Sequence, residues 1–288
     1  MPPRWLSILI VVVWVLFSAR LVVLDLLPRL LPGQPPPYTI DLVEEARTTR
    51  SYVDWMVLRD GTQAFRSRSR VLHPEHDVFE LTSELMPLKK DDRVPLNGML
   101  LRRLASTYRV NGAGDLLGLS VRLEGIPQVV KLLPFPIDTN LELEIEGTVK
   151  DHRLRPTIRM TTKKDQRREF ALPEVRLHQG GSVLLPLHPV NRLTGLSPGQ
   201  SWQMTVLDPL SDSFAALHGG GGGLRLLRAR VRGETEEFSR PLKKSVICLV
   251  IDYEGDDFVA STWVERERGL VICQEATLGG ERWSMYRE

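Results

Sequence analysis

Three hydrophobic rhythms follow one another along this chain. From Trp5 to Ala19 every residue is uncharged and nearly all are apolar, with no polar stripe. From Asp41 to Thr48 a short helical period appears, with Asp41 as candidate N-cap and Glu44 as its box partner. From Ser51 onward apolar and polar residues alternate, which places successive side chains on opposite faces of a strand. Asp60-Gly61 between Ser51–Arg59 and Thr62–His73 predicts a hairpin. A third strand, Asp77–Met86, follows a turn expected at His73-Pro74-Glu75-His76. Met99–Val110 and Asp115–Glu124 flank Asn111-Gly112-Ala113-Gly114 as a further hairpin. Leu141–Glu146 alternates without a fault, the mark of a strand with one wet face, and His152–Thr162 returns beside it.

The middle of the chain is broken by Pro127, Pro134, Pro136, Pro173, Pro186 and Pro189, so its segments read as edges, bends or loops. Ser182–Leu187 and Trp202–Leu207 remain as short strands. Gly219–Gly223 reads as a flexible loop tip, because Leu224-Arg225 stands where a phosphate cradle needs Lys-Ser or Lys-Thr. Near the C-terminus, Lys244–Tyr253, Phe258–Glu265 and Leu270–Ala276 form a three-strand meander. It carries Cys248 and Cys273 on its two outer strands. Two strand spacings separate their Cα atoms by about 10 Å, beyond disulfide reach, so free buried thiols are expected.

Fifteen helical residues span only about 22 Å. Leu21–Leu24, with Arg20 snorkelling, extend the apolar run toward the roughly 30 Å that a membrane requires. The alternative is a cleaved signal peptide, but cleavage after Ala19 or Ser18 leaves the bulky Phe17 or Leu16 at the minus-three position. The organisation read from sequence is therefore a signal anchor or transmembrane helix over 1–27, a Pro-rich spacer over 28–37 and a β-rich domain over 38–288. The fold class is mainly β: an N-terminal transmembrane helix, then a large antiparallel sheet or open half-barrel with few short helices. A single pass through the inner membrane is expected, through Trp5–Leu27, with the domain facing the periplasm or exterior. That orientation follows the habit of N-terminal anchors more than the basic residues around the span.

Charge adds little to this picture. Thirty-eight basic residues against 36 acidic ones give a net charge of +2, which removes any global field for nucleic acid. Local rows are more informative. Arg66, Arg68 and Arg70 alternate with serine, and Arg228, Arg230 and Arg232 alternate with small or apolar residues. Each triplet lines one sheet face and is a candidate contact for anionic headgroups or an acidic polymer. The competing reading is a solvated face, or pairing with the Glu142, Glu144 and Glu146 row. Aromatic residues do not interleave with these arginines, so nucleic acid is not expected as a partner. His73 and His76 flank a proline at no established ligand spacing, and each cysteine lies in an apolar run. No catalytic residue, metal site or cofactor is assigned.

Trp55 through Gly61, Gly199-Gln200-Ser201-Trp202, Trp263-Val264 and Gly269-Leu270-Val271 with Gln274-Glu275 resemble uncharacterised bacterial extracytoplasmic open-β-barrel proteins. They are distantly similar to lipoprotein-carrier (LolA-like) barrels. That resemblance implies a curved sheet able to hold acyl chains, and it carries over no catalytic residue. Three function classes follow. The first is a membrane-tethered extracytoplasmic module binding a lipid or other apolar ligand on a concave sheet, without catalysis. The second is a scaffold or accessory subunit docking another cell-envelope protein. The third is a hydrolase or metal-dependent enzyme, for which the sequence supplies no pairable polar groups.

Overall fold

The computed structural model describes residues 42–48, 52–89, 94–96, 99–112, 114–127, 141–162, 167–177, 183–184, 189–209, 225–239, 245–255, 258–278 and 280–288. In the N-terminal run it also describes residues 13–14, 17–18 and 20, which are helical. The rest of the anchor expected over 1–27, and the spacer over 28–37, lie outside the described residues. Among the described residues no helix is long and apolar enough to cross a membrane. The transmembrane helix in the expected fold class is therefore not found; a β-rich sheet with few helices is.

The helix α1 (Leu42–Thr48) lies just before the strands, where the period predicts it. The strands are β1 (Val53–Arg59), β2 (Thr62–Glu75), β3 (Val78–Pro87), β4 (Val94–Leu96), β5 (Met99–Asn111) and β6 (Leu116–Pro127). Next come β7 (Leu141–Lys150), β8 (Arg153–Thr162), β9 (Arg167–Ala171), β10 (Val175–Arg176), β11 (Val183–Leu184) and β12 (Ser201–Val206). The last are β13 (Arg225–Val231), β14 (Glu236–Phe238), β15 (Val246–Gly255), β16 (Phe258–Glu265), β17 (Val271–Leu278) and β18 (Glu281–Arg287).

Pairing joins them in one series: β9, β8, β7, β6, β5, β3, β2, β1, β18, β17, β16, β15, β13, β12, β11. Every junction is antiparallel except β11 with β12. β14 lies beside β15 where β13 leaves it, and β10 takes the edge of β8 beyond β9. No pairing among the described residues joins β9 to β11, so the sheet stays open. Pro156 sits inside β8 at the break between β9 and β10, where its missing N–H removes no ladder bond.

Two local expectations are corrected. The turn predicted at His73-Pro74-Glu75-His76 falls later, because β2 bulges between Leu72 and Glu75 and continues to Glu75. Asp77 takes the positive φ of 60° that closes it. The meander gains a fourth strand, since Glu281–Arg287 pairs both β17 and β1.

Cross-strand partners share a face, so the register defines an inner face through Trp55, Phe65, Leu81, Tyr108, Leu119 and Ile145. Two buried clusters cover it. One includes Val57, Phe65, Phe79, Tyr108, Val121, Leu143 and Ile158, with Leu42 of α1 and Leu207 packed in. The other includes Trp55, Trp202, Met204, Ala229, Val231, Ile251, Val264 and Val271. Trp55 and Val57 are next-but-one neighbours on β1, so this strand is where the two cores meet.

Candidate functional site

At that meeting point the inner face turns polar. Trp55 Nε1 donates to Ser69 Oγ at 3.0 Å, and Ser69 Oγ donates to Asn191 Oδ1 at 2.8 Å. The carbonyl of Asn191 accepts from Arg287 Nη1 at 2.9 Å and from the Val271 amide at 3.0 Å. The Arg287 guanidinium lies 6.0 Å from the centroid of the Trp55 ring. Glu45, 3% exposed, projects from α1 toward the same asparagine. Burial pushes its carboxyl above the ordinary range, against the opposing pull of Asn191, Arg287 and Arg192. Five elements are thus joined through side chains that sequence spacing cannot bring together: α1, β1, β2, the segment around Asn191, and the β17–β18 pair.

A row of hydroxyls continues inward from the seam. Ser69, Ser83 and Ser106 are register partners on β2, β3 and β5. Ser83 and Ser106 share a hydrogen bond at 2.9 Å. Tyr108, fully buried two residues further along β5, has its phenol pushed up by burial and then by the charge of Asp208. Glu45 and Tyr108 therefore both favour the protonated form, and neither is poised as a nucleophile. The chemistry that this arrangement offers is hydrogen bonding and proton uptake.

The arginine triplets lie on the opposite, outer face, as the alternation predicts. Arg66, Arg68 and Arg70 alternate with Phe65, Ser67, Ser69 and Val71, all buried on the inner side. Arg68 is bound by Asp54 at 2.8 Å, and Arg70 stands 4.6 Å from the Tyr52 ring centroid. Arg66 is exposed beside Met56 and Met86. In the second triplet, Arg228 faces Glu254 and Arg230 faces Asp252 across the ladder. Arg232 grips both oxygens of Asp252 at 2.8 Å and also reaches Glu236. That grip holds the Asp252 carboxyl below the ordinary range. The glutamate row is paired, but not with either triplet: Glu142 meets Arg122, and Glu144 meets Arg159 at 2.7 Å. Most of this outer surface is thus a lattice of opposed charges.

Cys248 and Cys273 are buried thiols, separated by β16 as expected. Register places both on the outer face, since Cys273 lies between Trp263 and Tyr286, and Val250, two residues from Cys248, faces Trp263. Phe238 covers this row, with its ring 5.7 Å from Trp263 and 6.2 Å from Tyr286, centroid to centroid. Burial, followed by the neighbouring Glu275, pushes the Cys273 thiol up and away from thiolate chemistry. His73 is exposed and stacks on Phe79 at 4.5 Å. Among the described residues no three metal-ligating side chains converge.

No family model matches this chain, and no curated protein is a significant match. Among solved structures it is similar to the crystal structure of a β-barrel-like protein of the domain of unknown function DUF1849 from Brucella abortus. The identity is 10% and the TM-score 0.39, over 82% of this chain and 94% of that one.

Proposed function

We infer that this protein is a membrane-tethered, extracytoplasmic, non-catalytic module that docks another cell-envelope protein through the exterior of its sheet. One observation carries the reading. The inner face, Ile247 at the start of β15 apart, is filled with the chain's own side chains, whereas Leu226 at 60% and Val259 at 58% stand exposed on the outer side. Both flank the end of the β15–β16 hairpin: Val259 faces Glu254, and Leu226 lies two residues from Arg228, which faces the same Glu254. Exposed apolar residues set among charges are what a protein contact uses. The apolar run Trp5–Ala19 supports the tether, and an N-terminal tether supports the extracytoplasmic setting.

A lipid held in the manner of the lipoprotein carriers needs an open apolar groove. Trp55, Phe65, Tyr108, Ile145 and Ile158, all 0% exposed, occupy the face on which it would lie. The test uses the full chain in its own membrane. A photo-crosslinking residue at position 226 or 259 should trap one protein adduct of defined mass, and the same residue at position 107 should not. Native mass spectrometry should show no lipid-sized mass removable by organic extraction. Such a mass, together with no adduct at either position, overturns docking in favour of lipid binding.

A further inference from the structure

Among the described residues, Glu45 and Glu265 are the only buried carboxylates, and Glu265 is bound by the exposed Arg268 at 3.0 Å. Glu45 differs in its setting. It belongs to a seven-residue helix, about two turns, which is too short to persist without the surface it packs on. Leu42, at 4% exposure, Glu45 and the partly buried Ala46 form the docked face, while Val43 and Arg47 point to solvent. An ionisable side chain therefore makes up much of the contact that holds α1 in place.

We propose that α1 is a proton-operated clasp, which seats on the sheet with Glu45 protonated and loosens as Glu45 ionises. Among the described residues, the groups that act on Glu45 include Arg287 from β18, and Asn191 and Arg192 from the segment before β12. From β2, which carries the helix, the inward residue joined to Asn191 is the neutral Ser69. The charged Asp54, Arg68 and Arg70 of β1 and β2 lie on the outer face. The two arginines and the asparagine favour the carboxylate, but desolvation by burial outweighs them, and the docked carboxyl titrates above its free range.

The linkage then has one sign. Docking is strongest below the free carboxyl's ordinary value. It weakens as pH rises toward the docked value, by up to about tenfold per pH unit for one proton released, and is flat above that. This inference does not depend on what docks to the exterior. On the tether reading it has a mechanical meaning: releasing seven residues from helix to extended chain lengthens the link before β1 by roughly 10 Å.

Hydrogen exchange of the full chain in detergent micelles, from pH 4 to 9 and corrected for intrinsic rates, tests it. Protection of the Leu42–Thr48 amides should fall by up to about tenfold per pH unit within the window, while that of β5 and β6 stays constant. In Glu45→Gln the helix should show no such slope. Arg192→Gln, which removes a cation favouring ionisation, should extend the window to higher pH and keeps the test alive if the first variant does not fold. A flat wild-type profile, a slope that survives in Glu45→Gln, or an unchanged window in Arg192→Gln overturns the proposal. Because the readout is local to α1, these outcomes leave the crosslinking test of docking untouched.

Discussion

The two halves of the sheet treat their outer faces in opposite ways. From β2 to β9 the outer face is wet, and its side chains are tied across strands: Arg103 to Glu84 at 2.6 Å, Arg122 to Glu142, and Arg159 to Glu144 and Glu169. Around Cys248, Val250 and Cys273, on β15 and β17, it is dry: Phe238 of β14 packs near Trp263 and Tyr286 there, and those three residues are all 0% exposed. The difference shows in sequence as rhythm. Leu141–Glu146 alternates because one face meets water, whereas Val246–Ile251 is continuously apolar because four successive residues, Cys248 to Ile251, are buried on alternating sides. A strand buried on both faces loses its period of two, and with it the information about which side is which.

Substitutions at matching outer-face positions should separate the halves. Val250→Asp places a charge under Phe238 and Trp263 with no partner provided, and should cost about 4 kcal/mol or more; Thr107→Asp, on the same side of β5, should cost less than about 1 kcal/mol. Urea denaturation of both variants measures the contrast, and equal costs would abolish the distinction. Phe238→Ala comes next, at about 2 kcal/mol. It should also expose Cys273 to maleimide under native conditions, where the wild-type protein labels only on unfolding. Labelling of intact wild type at the same rate would mean that Phe238 covers nothing.

Acid supplies a subtler contrast. Arg232 lowers the Asp252 carboxyl, so the stability it contributes is fully present above the ordinary value of about 4 and is lost as pH falls through the lowered one. The stability gap between wild type and Asp252→Asn should therefore narrow in thermal melts taken from pH 5 down to pH 2. A gap that stays constant would mean that the grip carries no charge component. The smallest effect belongs to the wet half: Arg122→Gln breaks an exposed cross-strand pair and should change stability by less than about 1 kcal/mol, with the change vanishing in high salt.

What could be read from sequence follows from the range of each interaction. α1, the Asp60-Gly61 hairpin and the β15–β17 meander are set by neighbours in the chain, and all three form as expected. The predicted meander stops short of β18 although Gly279-Gly280 is a hairpin signal, because Glu281-Arg282-Trp283-Ser284 carries no clean apolar alternation. Its residues are half-buried on both sides, with Trp283 stacked on Phe65 at 6.0 Å. The arginine rows were legible as faces because alternation alone assigns them. Their partners were not, since Asp252 meets Arg232 from 20 residues away. The polar seam was least legible. The capping pattern of α1 singles out Glu44, while the carboxylate buried at the seam is Glu45, and Asn191, which completes the seam, lies in a stretch with no periodicity.

The pairing of β1 with β18 sets a schedule for making this molecule. The register Trp55↔Arg287 and the bond from the Glu288 amide to the Asp54 carbonyl put β18, the strand farthest along the chain from β1, at the middle of the sheet. Until β18 has been synthesised, the early half from β1 to β9 and the late half from β11 to β17 are separate sheets, each with a bare edge where β18 belongs. Folding must close a contact spanning more than 200 residues before either edge is covered, the kind of long-range step that slows folding and exposes a nascent chain to aggregation. Loss of β18 would therefore split the sheet at its centre, with far greater consequence than loss of an outlying strand.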